Sequence, residues 1–208
     1  MKYRHIVFDI DGTLLDTEEA VLLSLQQVVA QALNRKMNLA ELRFALGIPG
    51  KDALKKLGIG EPDKFMEYWD SVFQNYIDRI KIFSSIPEVL AVLKYNGYQL
   101  GIITSKTISE YQNDFVPFGL ASYFDIIICA EHTEKHKPSP EPMLAYIKQA
   151  EVLPKEVLYI GDTVYDSQCA KGADTDFILA MWGCRQPEGI EATYFLDTPA
   201  KFIQLLCR

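Results

Sequence analysis

The stretch Ile6-Val7-Phe8-Asp9-Ile10-Asp11-Gly12-Thr13 decides the fold. Its first three residues form an apolar run without polar alternation, which is how a strand buried on both faces reads. The run stops at Asp9. Acids at i and i+2 of a strand share a face, but Gly12 lets the chain turn away sharply behind them. The pattern sets two carboxylates in one pocket with separable roles. One is suited to attack as a nucleophile and the other to carry a proton. An ordinary Asp-Gly surface turn is the competing reading, and the apolar strand immediately upstream weighs against it.

Working outward, a helix is expected after Asp16-Thr17, capped by Asp16 with Glu19 reaching back. Leu22, Leu25, Val29 and Leu33 recur at helical spacing. A second helix follows Pro62-Asp63, with Phe65, Met66, Trp69, Val72, Phe73 and Tyr76 as one broad apolar stripe. Gly47, Pro49, Gly50, Gly58 and Gly60 break up the chain between them. Residues 17–79 therefore read as helical, with no strand. From about residue 84 the pattern changes. Apolar runs at 100–103, 126–128, 157–160 and 177–179 alternate with helical stretches, among them 107–115, 140–150 and one through 168–171. That alternation predicts an α/β fold, a doubly wound parallel sheet. Its Rossmann-like core is assembled from 1–15 and 81–208, and residues 16–80 form a small inserted helical domain.

In such sheets ligands bind beyond the carboxyl ends of the strands. Asp9, Thr104 and Asp162 each stand at such an end, so they are expected on one rim although far apart in sequence. Carboxylates gathered there need positive charge, for which Lys106, Lys137 and a divalent cation are candidates. Gly161-Asp162-Thr163-Val164-Tyr165-Asp166 repeats the strand-then-acid pattern, with Asp166 one helical turn further on. Hard carboxylate oxygens without His or Cys suit Mg2+ rather than zinc. In Lys137-Pro138-Ser139-Pro140-Glu141 the prolines stiffen the approach to a helix and hold the lysine. His132 and His136 read as solvated loop histidines, since proline and charge surround them.

Composition bounds the rest. The 208 residues are 49% apolar and 24% charged, with a mean hydropathy of −0.01, which excludes a disordered or low-complexity chain. No apolar run approaches the ~18–20 residues of a membrane span, and no secretory signal is read at the N-terminus. A net charge of −7 argues against nucleic acid and anionic membranes as general partners. Cys129, Cys169, Cys184 and Cys207 form no C-x-x-C pair and read as reduced thiols of a cytoplasmic protein. Residues 35–56 are locally basic, with six cations against two acids, and Arg43 or Lys51 is the expected rim contact for an anionic substrate.

Asp9-x-Asp11-Gly12-Thr13, Thr104, Lys137-Pro138-x-Pro140 and Gly161-Asp162-x-x-x-Asp166, in this order, resemble the haloacid dehalogenase-like hydrolase superfamily across essentially the whole chain. Thr104-Ser105-Lys106 and Asp16-Thr17 are most similar to its phosphoglycolate phosphatase-like branch. The resemblance implies a helical cap at 16–80 and an Mg2+-dependent phosphatase of a small phosphorylated metabolite, a phosphoglycolate-like phosphomonoester first. It implies that Asp9 attacks phosphorus to form an aspartyl-phosphate, and that Asp11 protonates the leaving oxygen and then activates water. Asp9, the Asp11 carbonyl and Asp162 would hold the metal, with Asp166 behind them. Thr104, Lys137 and backbone amides near Gly12 and Ser105 would bind the phosphoryl group. Inorganic pyrophosphatase and a β-phosphoglucomutase-like transferase are the alternatives. The mutases carry a histidine early in the first cap helix, where this chain has Glu18, Glu19, Ala20 and Val21. A phosphorylatable receiver-like signalling domain is the non-enzyme alternative, although such domains lack the insert. A monomer or homodimer is expected.

Overall fold

A computed structural model describes residues 2–206; Met1, Cys207 and Arg208 lie outside them. The chain opens with β1 (His5–Phe8) and a two-residue strand β2 (Leu15–Asp16). Helices α1 (Glu18–Leu33), α2 (Leu39–Leu42), α3 (Gly50–Lys56) and α4 (Pro62–Phe73) follow. β3 (Lys81–Ile82) closes this insertion, and α5 (Ile86–Tyr95), β4 (Gln99–Ile103), α6 (Ile108–Glu110) and β5 (Ile126–Ile128) continue the chain. The last third holds α7 (Glu141–Ala150), β6 (Val157–Gly161), α8 (Val164–Gly172), β7 (Asp176–Ala180), β8 (Tyr194–Leu196) and α9 (Lys201–Leu206).

Six strands form one sheet in the order β5-β4-β1-β6-β7-β8, and every pairing in it is parallel. β1 lies at the centre. Because successive residues of a strand face opposite ways, Ile6 and Phe8 enter one apolar cluster with Leu90 of α5 and Phe202 of α9. Val7 enters the other, with Met143 and Tyr146 of α7 and Cys169 of α8. Both faces are therefore covered, which is why the strands carry no polar alternation. Each such side chain taken from water contributes roughly 1.5–3 kcal/mol.

The apolar runs at 100–103, 126–128, 157–160 and 177–179 are strands here, and the sheet has a further edge strand, β8, that the sequence pattern did not announce. Its middle residue Phe195 is exposed while Leu196 is buried, so it is not covered on both faces as the inner strands are. Three local expectations change. Asp16 does not cap α1: it is paired with Lys81 in an antiparallel ribbon of β2 with β3, which holds its backbone extended. Thr17 stands at the cap with no side-chain bond, and Glu19 pairs with Arg79 instead. The expected helix at 107–115 is a short α6 capped by Thr107 and Glu110, followed by a π-helical turn at Tyr111–Phe115.

Within the insertion, α1 packs on α4. Met66, Trp69 and Phe73 of α4 are buried at helical spacing. The indole of Trp69 donates to the Ser24 hydroxyl at 2.8 Å, which satisfies two buried polar groups at once. The ribbon brings the exit and return of the inserted segment side by side. No helix among the described residues is long and apolar enough to cross a membrane. Cys129, Cys169 and Cys184 are free thiols.

Candidate active site

Sheet register builds the site. Phe8 lies beside Ile102 on one side and Ile160 on the other. One residue later Asp9 donates its backbone amide to Ile160 at 2.8 Å. The next polar residues of the two neighbouring strands, Thr104 and Asp162, thus stand on the same rim as Asp9. After Asp11 the chain turns through Gly12, whose φ is +75°. A Cβ there would lie 2.1 Å from Asp162 Oδ2, so only glycine admits the second acid so close to the first loop. Gly161 meets the same limit, since a Cβ would lie 2.4 Å from the Asp166 carboxyl carbon.

Lys137 is the electrostatic centre. Its Nζ lies 3.0 Å from Asp9 Oδ1 and 2.6 Å from Asp166 Oδ1, and all three side chains are at most 3% exposed. The Tyr159 hydroxyl, 2.8 Å from Asp166 Oδ1, completes this cluster. Asp166 uses its other oxygen to accept from the Thr163 amide and hydroxyl, in a capping box at the start of α8. Both Asp166 oxygens are thereby engaged, and the carboxylate sits where the helix dipole favours it.

Asp9 and Asp162 are less satisfied. Burial pushes the Asp9 carboxyl up to about 7, against the pull of Lys137 and with the push of Asp166 and Asp11. Burial, then Asp166 and Asp9, raise Asp162 well above the carboxylate range, with Lys137 opposing them. Carboxylate oxygens of Asp9, Asp162 and Asp166 all lie within 4.8 Å of one another. Asp162 Oδ1 and Asp11 Oδ1 are buried without a hydrogen-bond partner. The unpartnered Asp162 oxygen, crowded by Asp9 and Asp166, fits a divalent cation such as Mg2+, which would offset the burial and the repulsion that raise Asp9 and Asp162.

A cavity between the insertion and the sheet rim is lined by Asp9, Asp11, Gly12, Ser105 and Asp162 on the core side and by Gly47, Trp69 and Phe73 on the insertion side. Thr104 and Lys137 do not line it; both are buried behind its wall. Thr104 Oγ1 accepts from the Lys106 amide, which leaves its own hydrogen free. The Ser105 hydroxyl is spent on the carbonyl of Gly47, tying the rim to the insertion. Neither Arg43 nor Lys51 lines the cavity: Arg43 pairs with Glu18 and Lys51 with Asp63. Both expected rim cations are thus neutralised by acids brought alongside by packing. The cations that do line the cavity are Lys106 and Arg185. His132 accepts from the Cys129 amide within the 3-10 turn Ala130–His132 and is not part of the carboxylate cluster.

Sequence reasoning overlooked Tyr159, hidden in an apolar strand run, and Asp114, Gln74 and Arg185, for which spacing carries no signal. Thr163 had one: Thr-x-x-Asp ahead of a helix is a capping box.

The model of the haloacid dehalogenase-like hydrolase family matches residues 6–180. A relative from Caldanaerobacter subterraneus subsp. tengcongensis, provisionally named pyrophosphatase PpaX, is 31% identical over 88% of this chain and 83% of its own. Phosphoglycolate phosphatase of Aquifex aeolicus is 27% identical over 98% of this chain and 96% of its own. A crystal structure from Lactobacillus plantarum, provisionally named phosphoglycolate phosphatase, superposes with a TM-score of 0.90 at 28% identity, covering 99% of this chain and 100% of that one.

Proposed function

The chain belongs to the haloacid dehalogenase-like hydrolase family, and from that premise we propose that it is an Mg2+-dependent phosphatase of a small phosphomonoester, working through a phosphorylated Asp9. The observation that carries this reading is the pairing of Asp9 with Lys137 at 3.0 Å inside a cluster of further carboxylates that opens onto a substrate-sized cavity.

Lys137 fixes Asp9 so that one carboxylate oxygen is held and the other points at the phosphorus. Asp9 attacks, a bond forms between its oxygen and phosphorus, and the ester P–O bond breaks. Asp11 gives a proton to the departing oxygen, then takes one from the water that attacks phosphorus; the bond between phosphorus and the Asp9 oxygen breaks, phosphate leaves, and both acids return to their starting states. The backbone amides near Gly12 and Ser105 receive the equatorial oxygens, where charge develops, and Thr104 steadies that loop from behind by accepting from the Lys106 amide. Asp9, the carbonyl of Asp11 and Asp162 would hold the cation, which supplies charge neutralisation for an anionic nucleophile approaching an anionic ester. Asp166 keeps Lys137 and the start of α8 in place. The insertion acts as a cap that excludes water. The three free thiols suit a cytoplasmic enzyme.

The test is phosphate release from a metabolite panel headed by phosphoglycolate and pyrophosphate, with Mg2+ present and with Asp9→Asn alongside. Turnover of at least one ester by the wild type and none by the variant supports the reading. Turnover that survives Asp9→Asn overturns it.

A further inference from the structure

Asp11 is tied into a chain of side chains that runs out of the core and into the insertion. Asp11 Oδ1 lies 3.5 Å from Lys106 Nζ, an ion pair without a hydrogen bond. Lys106 Nζ lies 3.4 Å from Asp114 Oδ2. Asp114 Oδ1 accepts a 3.1 Å hydrogen bond from Gln74 Nε2. Lys106 and Asp114 are buried, so little water competes for either charge. Gln74 stands on the other side of the cavity, at the start of the 3-10 turn that follows α4. Its neighbour Phe73 offers its ring to the same ammonium, 5.3 Å from the ring centroid.

The local backbone serves this arrangement. Asp114 sits in the π-helical turn, a widening that is rare and concentrates at functional sites. The turn sends Asp114 inward while Gln112 and Asn113 remain exposed. Both oxygens of Asp114 are then in use, one for the insertion and one for Lys106.

We propose that Gln74 and Asp114 are positioning residues that set Asp11 through Lys106, so that seating the insertion completes the proton donor. The proposal rests on the reading of Asp11 as the group that protonates the leaving oxygen. With the insertion seated, Gln74 orients Asp114, Asp114 anchors Lys106, and Lys106 holds one edge of the Asp11 carboxyl. Its cavity-facing edge is left for the ester. With the insertion lifted, Asp114 loses Gln74, Lys106 loses the Phe73 ring, and water reaches the ammonium. The chain from Asp11 is then anchored at one end only. Proton delivery is thereby confined to the state in which bulk water is shut out.

Two aryl esters of similar shape test this. p-Nitrophenyl phosphate has a leaving group that departs without a proton; phenyl phosphate has one that needs it. In the full chain with Mg2+, Gln74→Leu and Asp114→Asn are each expected to lower kcat/KM, which reports the steps up to departure of the leaving group, on phenyl phosphate about tenfold, a fraction of the 10²–10⁴ that general acid catalysis supplies, and to leave kcat/KM on p-nitrophenyl phosphate within about twofold. Asp11→Asn is expected to show the same bias with a larger loss. If Asp11→Asn keeps its bias while Gln74→Leu and Asp114→Asn slow both esters equally, or neither, the positioning role is overturned and the donor reading stands. If Asp11→Asn itself shows no bias, the donor reading falls and the proposal with it. Gln74 is exposed, so its substitution leaves the core intact and tests the positioning role whether or not Asp114→Asn folds.

Discussion

The ammonium nitrogen of Lys137 stands 3.0 Å from Oδ1 of Asp9, and both side chains are closed off from water. A buried pair of this kind contributes little by its presence, because desolvation cancels most of the attraction, yet removing one partner strands the other. Here one lysine serves two buried acids, Asp9 and Asp166. Lys137→Met is therefore expected to destabilise the protein by about 3–5 kcal/mol. Urea unfolding measures it, and an unchanged midpoint would show that the pair is dispensable.

Asp9→Asn is expected to leave the fold intact, since Lys137 keeps Asp166 at 2.6 Å. It also removes one of the charges that raise Asp162. The melting temperature should be equal to or above that of the wild type. Turnover of p-nitrophenyl phosphate should fall by a factor on the order of 10³ or more, as when other nucleophiles are removed. A calorimetric scan beside a phosphate-release assay reads both.

Chelation by EDTA is expected to silence turnover and Mg2+ to restore it. A second readout does not depend on activity. Millimolar Mg2+ should raise the melting temperature, because an ion bound only by the folded state stabilises it, and Asp162→Asn should lose that response. An Asp162→Asn variant with the full Mg2+-dependent rise would place the ion elsewhere.

Asp70 lines the cavity; its backbone carbonyl accepts from the Gln74 amide, while its carboxyl has no hydrogen bond or ion pair to a described residue. Loss of water, then Glu110 and Asp114, push its carboxyl up to about 6 from 3.8, with Lys106 opposing them. The folded state then binds more protons than the unfolded state between about pH 4 and 6, so stability falls as pH rises through that window. Asp70→Asn should raise stability at pH 7. Solvent screens a side chain this exposed, so the gain is about 1 kcal/mol, or roughly 2–4 °C in melting temperature. It should vanish at pH 4; an equal gain there would mean that charge is not the cause.

Much of the sheet and its acidic rim were legible because the signals are local. An apolar run such as Ile6-Val7-Phe8 must be buried on both faces whatever surrounds it, and Asp9 ends it. Parallel strands put such ends on one rim, so Asp9, Thr104 and Asp162 could be grouped without coordinates. β8 and the β2–β3 ribbon were not legible, because short strands owe their existence to the partner beside them. Asp16 shows the cost of reading locally: its sequence context suits a helix cap, and pairing with Lys81 overrides it.

The order of apolar runs, the acids that end them and the glycine behind Asp11 are written in the chain itself, since each follows from steric and solvation rules acting over a few residues. Which charges neutralise one another was decided only by tertiary packing. Arg43 and Lys51 are taken up by Glu18 and Asp63, while Lys106 is drawn between Asp11 and Asp114 and reaches Gln74 through the latter. Those pairings join segments up to 95 residues apart in sequence. Coulomb attraction selects partners by distance in space, and that distance exists only once the insertion has docked on the sheet.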